Sequence, residues 1–487
     1  MSSVATAAVP SGSRQPKRLI LLPLHRLGAS MAASPKHQAP KGTRDFYPGD
    51  LALRRHVEAA WRRASVIHGF AEIDGPTFEH LELYTAKSGP GIVNELFSFR
   101  RAGGENDYAL RPEFTPTLAR MVAARAASLP TPVKWFAVPT HFRAERPQRG
   151  RLREFVQWNV DLMGLAGEAA DAEVMAVAMH ALEMLGLSPR DVRCRVSNRH
   201  TVAAVLAAIG VAPDRAAEAF ELLDRRGRLP ADEVIARGAA LGLDADAFAR
   251  LDAVAGNAVP IESAAAFFAE LRTELKALDG AALAPLESMV ERLKASGLSE
   301  WCDLDLGIVR GLAYYTGTVF EIHAASGAER AIAGGGRYDG LIELFGGPSM
   351  PAVGFGMGDV VLSLMLPDRG LLPKDGEALL PRPDVYLIAG SPEGEARVPS
   401  LATELRRAGL HVRHSYRATH NIGKLLGDAG KQRARSAVIL GRELADGMVA
   451  LKDLDGGEQS LVPIGEVVAQ LRTRYGGDAR GGGGGAG

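Results

Sequence analysis

Apolar residues recur at three- and four-residue spacing from Leu53 through Val57, Ala60, Trp61, Ala64 and Ile67, which predicts an amphipathic helix. Gly69 ends it, and FAEIDGP leads through a short strand to Pro76. FSFR and YALRPEFT read as strands, followed by a helix through Ala124. VKWFAVPTHFR and REFVQWNVDLMG then predict an antiparallel pair around a loop carrying Arg143, Arg146, Arg149, Arg151 and Arg153. In the second strand, Val156, Trp158, Val160 and Leu162 share one parity, and Phe155, Gln157, Asn159 and Asp161 the other. Same-parity residues lie on one face, about 6.6–6.8 Å apart. One face is therefore oily, and the other offers two amides and a carboxylate.

Residues 168–186 predict another helix, and residues 195–300 change to an Ala/Leu-rich, helix-biased composition that reads as a helical insertion. Strands resume in LGIVRGLAYYTGTVFEIH, AIAGGGRYDGL and PAVGFGMGDVVLSLML, and prolines at 367–383 mark a linker. Beyond it, DVYLIAG, a helix near 396–408, HVRHSY, a helix near 422–433 and SAVILG alternate as in a small α/β domain.

A chain of 487 residues is too long for one core, so two or three domains are expected. Its 46% hydrophobic and 23% charged residues suit a globular protein, and no apolar run approaches the roughly 18–20 residues of a membrane span. Lys plus Arg equals Asp plus Glu at 57 each, so any anionic partner must be sought in local clusters. One cluster is the arginine loop. Another is residues 401–440, where eight Lys/Arg face only Glu404 and Asp428, which points to a nucleic-acid surface.

Two cysteines, Cys194 and Cys302, cannot build a disulfide framework or a zinc cage, and suit a reducing interior. No metal-ligand set is expected. Residues 1–44 carry Arg14, Lys17, Arg18, Arg26, Lys36, Lys41 and Arg44 without an acidic residue. That fits a transit peptide, but a flexible tail, or a chain beginning at Met31, is preferred because the bias is weak. The terminal GGGGGAG reads as a flexible tail.

Arginines on a loop suit phosphates, because a planar guanidinium pairs two oxygens at once. Gln157, Asn159 and Asp161 suit a different group, and a carboxylate there should meet a cationic or N–H-bearing ligand. Glu113 and Thr115, two apart in LRPEFTPTLAR, share a face if extended, so Glu113 is placed to hold an ammonium group; helix initiation at Thr115–Pro116 is the competing explanation. The glycines of GGGRYDGL permit close approach of a ligand, yet match neither GxGxxG after a strand nor GxxxxGK[ST], which excludes Rossmann and P-loop readings.

Together these segments resemble histidyl-tRNA synthetases, a family of class II aminoacyl-tRNA synthetases. PKGTRDFYPGD resembles the opening of the family's domain, GFAEIDGP its motif 1, and FRAERPQRGRLREF with QWNVDLMG its motif 2. VRGLAYYTG and GGGRYDGL resemble its two histidine signatures, and LGRELADGMVALKDLDGGEQ its anticodon-binding domain. The resemblance implies an α+β fold, with an antiparallel sheet flanked by helices, a helical insertion at about 195–300 and a C-terminal α/β anticodon-binding domain. The implied divisions are an extension at 1–37, a catalytic core at 38–375, the anticodon-binding domain at 383–475 and a tail at 476–487.

It also implies a cytoplasmic homodimer that uses ATP with Mg2+, L-histidine and tRNA(His), with no membrane partner. Position by position, Glu113, Thr115 and Gln157 would hold the histidine α-amino group, with Phe114 counted in the same pocket. Asp161 and Tyr315 would face the imidazole, with Tyr314 beside them. Arg143 and Arg310 would flank the α-phosphate as the catalytic and ATP-binding cations, and Arg146 and Gln148 would meet the tRNA acceptor end.

Two positions depart from the commoner family pattern. Asp161 stands where Glu is usual, and GFGMGDVVLSL carries Asp359 and Val361 where motif 3 usually has Glu and an arginine. That arginine meets the ATP γ-phosphate in the family, so Arg151 or Arg153 is expected to compensate. Two alternatives stand beside this reading: a regulatory paralogue of ATP phosphoribosyltransferase, which lacks the C-terminal domain, and a noncatalytic RNA-binding protein.

Overall fold

A computed structural model describes residues 37–476, apart from 89, 227–228, 310–313 and 328–329. Its strands, in chain order, begin with β1 (Ala71–Glu72), β2 (Phe78–His80), β3 (Ser98–Arg100), β4 (Asp107–Leu110), β5 (Val133–Ala137) and β6 (Thr140–Phe142). There follow β7 (Glu154–Met163), β8 (Val192–Asn198), β9 (Val259–Pro260), β10 (Cys302–Leu304), β11 (Thr318–Ala324), β12 (Ala333–Arg337) and β13 (Ala352–Gly358). The last five are β14 (Val385–Ala389), β15 (Val412–His414), β16 (Ser436–Leu440), β17 (Met448–Asp453) and β18 (Gln459–Pro463).

Ten strands form the main sheet, in the order β1-β5-β7-β13-β12-β11-β8-β10-β9, with β6 on β7. From β5 to β8 every neighbour is antiparallel. The expected antiparallel sheet is corrected at its margins, where β1 runs parallel to β5 and β10 parallel to β8. The parity of β7 sets which face is core. Trp158 stacks on Trp61 of helix Pro48–Ile67 at 5.8 Å and meets Phe355 edge-on at 4.9 Å. Its Nε1 donates to Ser65 Oγ at 3.0 Å. Burying a tryptophan removes roughly 150–250 Å² from water, worth on the order of 4–6 kcal/mol. Helix Glu168–Met184 packs against the same oily face through Val174, Met175, Val177 and Ala178.

The helical insertion begins later than expected. Residues 195–198 belong to β8, where Val192, Cys194 and Val196 are buried and all seven residues pair with β11. Helices then run from Arg199 to Ala295, interrupted by the two-residue β9.

In the C-terminal sheet the order is β15-β14-β16-β17-β18, parallel across the first three and antiparallel across the last two. Helix Pro392–Arg407 starts earlier than the expected 396, because Ser391 Oγ accepts from Gly394 N at 3.1 Å and Pro392 suits the first turn. Among the described residues, no helix is long and apolar enough to cross a membrane.

Candidate active site

The polar face of β7 opens into a cavity of about 630 Å³, lined by Phe155, Gln157, Asn159 and Asp161. Its floor is built from glycines. Gly354, Gly356 and Gly358 of β13 stand opposite Asp161, Asn159 and Gln157 respectively. A Cβ on Gly354 would lie 1.9 Å from Asp161 Oδ1, and one on Gly356 2.8 Å from the Gln157 amide. The alternation in GFGMG thus keeps the cavity face bare while Phe355 and Met357 enter the core. Gly354→Ala should displace Asp161 and lower stability by about 1–3 kcal/mol; an unchanged melting temperature would contradict this.

Asp161 is buried, and burial pushes its carboxyl up to about 7, partly offset by the Tyr338 hydroxyl, which donates to Oδ1 at 2.5 Å. Tyr338 lines the cavity and was not singled out from the sequence, although it lies inside GGGRYDGL. Its neighbours explain that signature. Arg337 is anchored to Asp171 at 2.5 Å and to the Gly167 carbonyl at 2.8 Å, and Asp339 Oδ1 accepts from Ala352 N at 2.9 Å. These bonds fix the backbone on both sides of Tyr338. Tyr314 and Tyr315 also line the cavity, with ring centroids 4.8 Å apart, and Tyr314 meets Tyr338 edge-on. Asn159 Oδ1 is buried without a hydrogen-bond partner among the described residues.

Glu113 and Thr115 both line the cavity, and Thr115 also begins helix Thr115–Arg125, so the two explanations for this segment are compatible. Arg111 holds the segment in place: Nη1 donates to Asp74 at 3.0 Å and to the Gly75 carbonyl at 2.9 Å, and Nε to the Thr140 carbonyl at 2.8 Å. Phe114 corrects the expectation: it is absent from the lining and buried among Leu118, Val122 and Tyr338, so it supports the pocket from behind.

Arg143 lies at the cavity, its guanidinium 5.1 Å from the Phe155 ring centroid and its Nε donating to the Pro112 carbonyl at 3.2 Å. Burial lowers its pKa from the usual guanidinium value, and Glu113 and Glu145 oppose that. Arg310 lies outside the described residues. Arg146 and Gln148 are exposed on the loop and do not line the cavity; its tip closes through Gln148 N to Arg151 O at 3.0 Å and the reciprocal bond at 2.9 Å.

Val361 lines the cavity, and so do Arg151 and Arg330. Arg151 pairs with Glu145 at 2.5 Å. Arg153 turns away, towards the carbonyls of Glu145 and Lys41. Asp359 also points elsewhere, bonding Arg44 at 2.6 Å and accepting from Val156 N at 3.0 Å. It ties the N-terminal segment to β7. On the remaining wall, His323 Nε2 and Glu321 Oε2 lie 2.9 Å apart. Among the described residues, no group of three or more His, Cys, Asp or Glu is placed to hold a metal ion.

A family model described as histidyl-tRNA synthetase matches residues 42–358, and one described as an anticodon binding domain matches 384–474. A protein named histidine–tRNA ligase from Opitutus terrae is 39% identical over 444 residues, spanning 90% of this chain and 98% of that one. The chloroplastic/mitochondrial histidine–tRNA ligase of Arabidopsis thaliana is 34% identical over 438 residues, 88% of this chain and 85% of that one. The solved histidyl-tRNA synthetase of Nostoc sp. PCC 7120 shares the fold, with a TM-score of 0.73 at 24% identity, covering 90% of this chain and 99% of that one. On the length and continuity of these matches, from the glycine-floored cavity through the C-terminal sheet, the chain belongs to the histidyl-tRNA synthetase family.

Proposed function

We propose that this protein activates L-histidine with ATP, forming histidyl-adenylate and pyrophosphate, and passes the histidyl group to the 3′ end of tRNA(His). The observation that carries this is one cavity in which the Asp161–Tyr338 pair and the guanidinium of Arg143 share a glycine floor. The substrate carboxylate is already a nucleophile at neutral pH, so no catalytic base is required. Charge on the attacked α-phosphate must be stabilised, and a fixed cation does this without reorganising. Arg143 takes that role, with Arg310 as its partner by the family resemblance. Glu113, Thr115 and Gln157 hold the ammonium group, and Asp161, Tyr338 and Tyr315 select the imidazole.

Mg2+ accompanying the ATP would be held mainly by phosphates and water and would neutralise phosphate charge, so one or two protein carboxylates would suffice. Glu321 on the cavity wall fits that requirement. Arg151 rather than Arg153 is the candidate for the γ-phosphate, because it alone of the two lines the cavity. Arg151→Ala should raise the ATP KM about tenfold, the value of one charge-assisted contact, and leave the histidine KM in place; an unchanged ATP KM would remove Arg151 from this role.

The acceptor end of tRNA would meet Arg146 and Gln148 on the exposed loop. A homodimer is supported by the aromatic surface of the β2-β4-β3 sheet, where Phe78 is 48% and Phe99 43% exposed and both contact Tyr108. We place the enzyme in the cytoplasm. The extension, core, anticodon-binding domain and tail at 1–37, 38–375, 383–475 and 476–487 belong to the same proposal.

The regulatory paralogue is disfavoured by the C-terminal match at 384–474 and by near full-length relatives named as ligases. Incubating the protein with ATP, labelled histidine and tRNA(His) should place acid-precipitable label on the tRNA; none on a competent transcript would favour the regulatory reading.

A further inference from the structure

One end of the cavity is made by two walls that meet. Gly150, Arg151 and Phe155 form the first, from the arginine loop and the start of β7. Gly358, Val360 and Val361 form the second, from the end of β13 and the helix Asp359–Asp368 that follows it. A Cβ on Gly150 would lie 3.6 Å from Val361 Cγ2. The strand ladder between β13 and β7 reaches Gly358 opposite Gln157. The next amide of β7, Val156 N, donates instead to Asp359 Oδ1 at 3.0 Å. One buried side chain thereby joins the two walls.

A carboxylate only 1% exposed needs a cation, and this one comes from outside both walls. Arg44 Nη2 donates to Asp359 Oδ2 at 2.6 Å. Burial raises the Asp359 carboxyl from its usual range, and Arg44 opposes that more than any other group. The segment that carries Arg44 also grips the arginine loop. The Gly42 carbonyl accepts from Arg153 N at 2.8 Å and Glu154 N at 3.3 Å, and the Lys41 carbonyl from Arg153 Nη1 at 3.4 Å. Gly42 has a φ of +92°, and a Cβ on it would lie 2.7 Å from Pro147 Cγ, so a glycine is needed for the segment to lie against the loop. Arg153 O in turn accepts from Arg143 N at 2.9 Å. Phe46 fastens the segment to helix Pro48–Ile67, its ring 4.8 Å from the Arg44 guanidinium and 4.4 Å from that of Arg54. Residues 40–46 are absent from the cavity lining, yet they hold the wall that carries Arg151 and the strand pair that carries Arg143.

We propose that Arg44 and Asp359 are a positioning pair for ATP: the docked segment 40–46 sets the spacing of the two walls, and with it the reach of Arg143 and Arg151 to the triphosphate. This rests on the ligase reading. The imidazole pocket at Asp161 lies five residues beyond Val156, about 17 Å along β7, so it does not sense the pair.

The test compares full-length Arg44→Ala, Asp359→Asn and the double variant with the unsubstituted protein in two assays: histidine-dependent pyrophosphate exchange, and equilibrium dialysis of a nonhydrolysable ATP analogue. Asparagine can still accept from Val156 N, so Asp359→Asn isolates the tie to Arg44. Both single variants should lower kcat/KM for ATP by about 10–100-fold, the cost of misplacing a group by on the order of 1 Å, and keep the histidine KM within about twofold. Analogue binding should weaken with them. The double variant should be no worse than the worse single one, because both remove the same tie. It also leaves no unpaired carboxylate in the interior, so it reads the tie even where Arg44→Ala does not fold. Unchanged ATP kinetics and analogue binding in Asp359→Asn and the double variant would overturn the proposal. So would an equal rise in both Michaelis constants, or losses that add in the double variant; the pair would then be a stabilising contact alone. Analogue binding without exchange in the unsubstituted protein would count against the ligase reading instead, and dialysis would still decide on the pair.

Discussion

Replacing Arg143 by alanine is expected to lower histidine-dependent exchange of pyrophosphate into ATP by about 10²–10³-fold, the usual cost of removing one fixed donor to transition-state charge. The guanidinium is held by the Pro112 carbonyl and the Phe155 face, so its orientation does not depend on substrate. Lysine should recover only part of the loss, because a point charge lacks the planar fork that spans two phosphate oxygens. The Michaelis constant for histidine should change little. Burial already disfavours the charged form of Arg143, so removing it should not unfold the protein, and the melting temperature separates lost chemistry from lost structure. A loss below about fivefold would show that Arg143 is not the cation facing the reacting phosphate.

Asp161→Asn should raise the Michaelis constant for histidine by about 10–150-fold, the value of a hydrogen bond to a charged group at about 1.5–3 kcal/mol. Its signature is in the pH dependence. With its carboxyl raised to about 7, Asp161 is increasingly protonated below neutrality, and a protonated carboxyl no longer attracts a cationic imidazole. Because a free imidazole is itself mostly neutral above about 6.5, histidine affinity in the unsubstituted protein should be greatest near about pH 6.5–7 and fall on either side, a dependence that Asp161→Asn should lack.

Stability depends on pH differently. Because the folded-state pKa is raised, the stability associated with the neutral carboxyl is fully present below about 4 and is lost as pH rises towards about 7. Asp161→Asn should remove that loss, making the variant the more stable of the two above pH 7, by an amount on the order of 4 kcal/mol at most. Identical melting temperatures across pH 4 to 8 would mean that Asp161 is not held in this state.

The cavity was legible from β7 because a two-residue period leaves no choice about which side chains share a face: once Trp158 is core, Asp161 must look out. The glycine signatures were legible as motifs but not as geometry. That Gly354 exists for the sake of Asp161 depends on the register of β13 against β7, which no local pattern encodes. Tyr338 escaped for the same reason, since its hydroxyl reaches Asp161 only across the sheet. Phe114 was misplaced because a residue flanked by two cavity residues turns inward where the chain enters a helix. The start of the insertion was misread because β8, with Arg193 and Arg195 between its buried residues, adjoins a long helical stretch. Asp359 was legible only as standing where motif 3 usually has Glu, because its partners, Arg44 and Val156 N, lie 315 and 203 positions away in the chain.

The most direct test of the central claim is amino-acid-dependent exchange of labelled pyrophosphate into ATP by the purified protein, without tRNA. Exchange supported by histidine and by no other amino acid, and nearly abolished in both Arg143→Ala and Arg310→Ala, is the predicted result. Absence of exchange with histidine, or equal exchange with several amino acids, would contradict it.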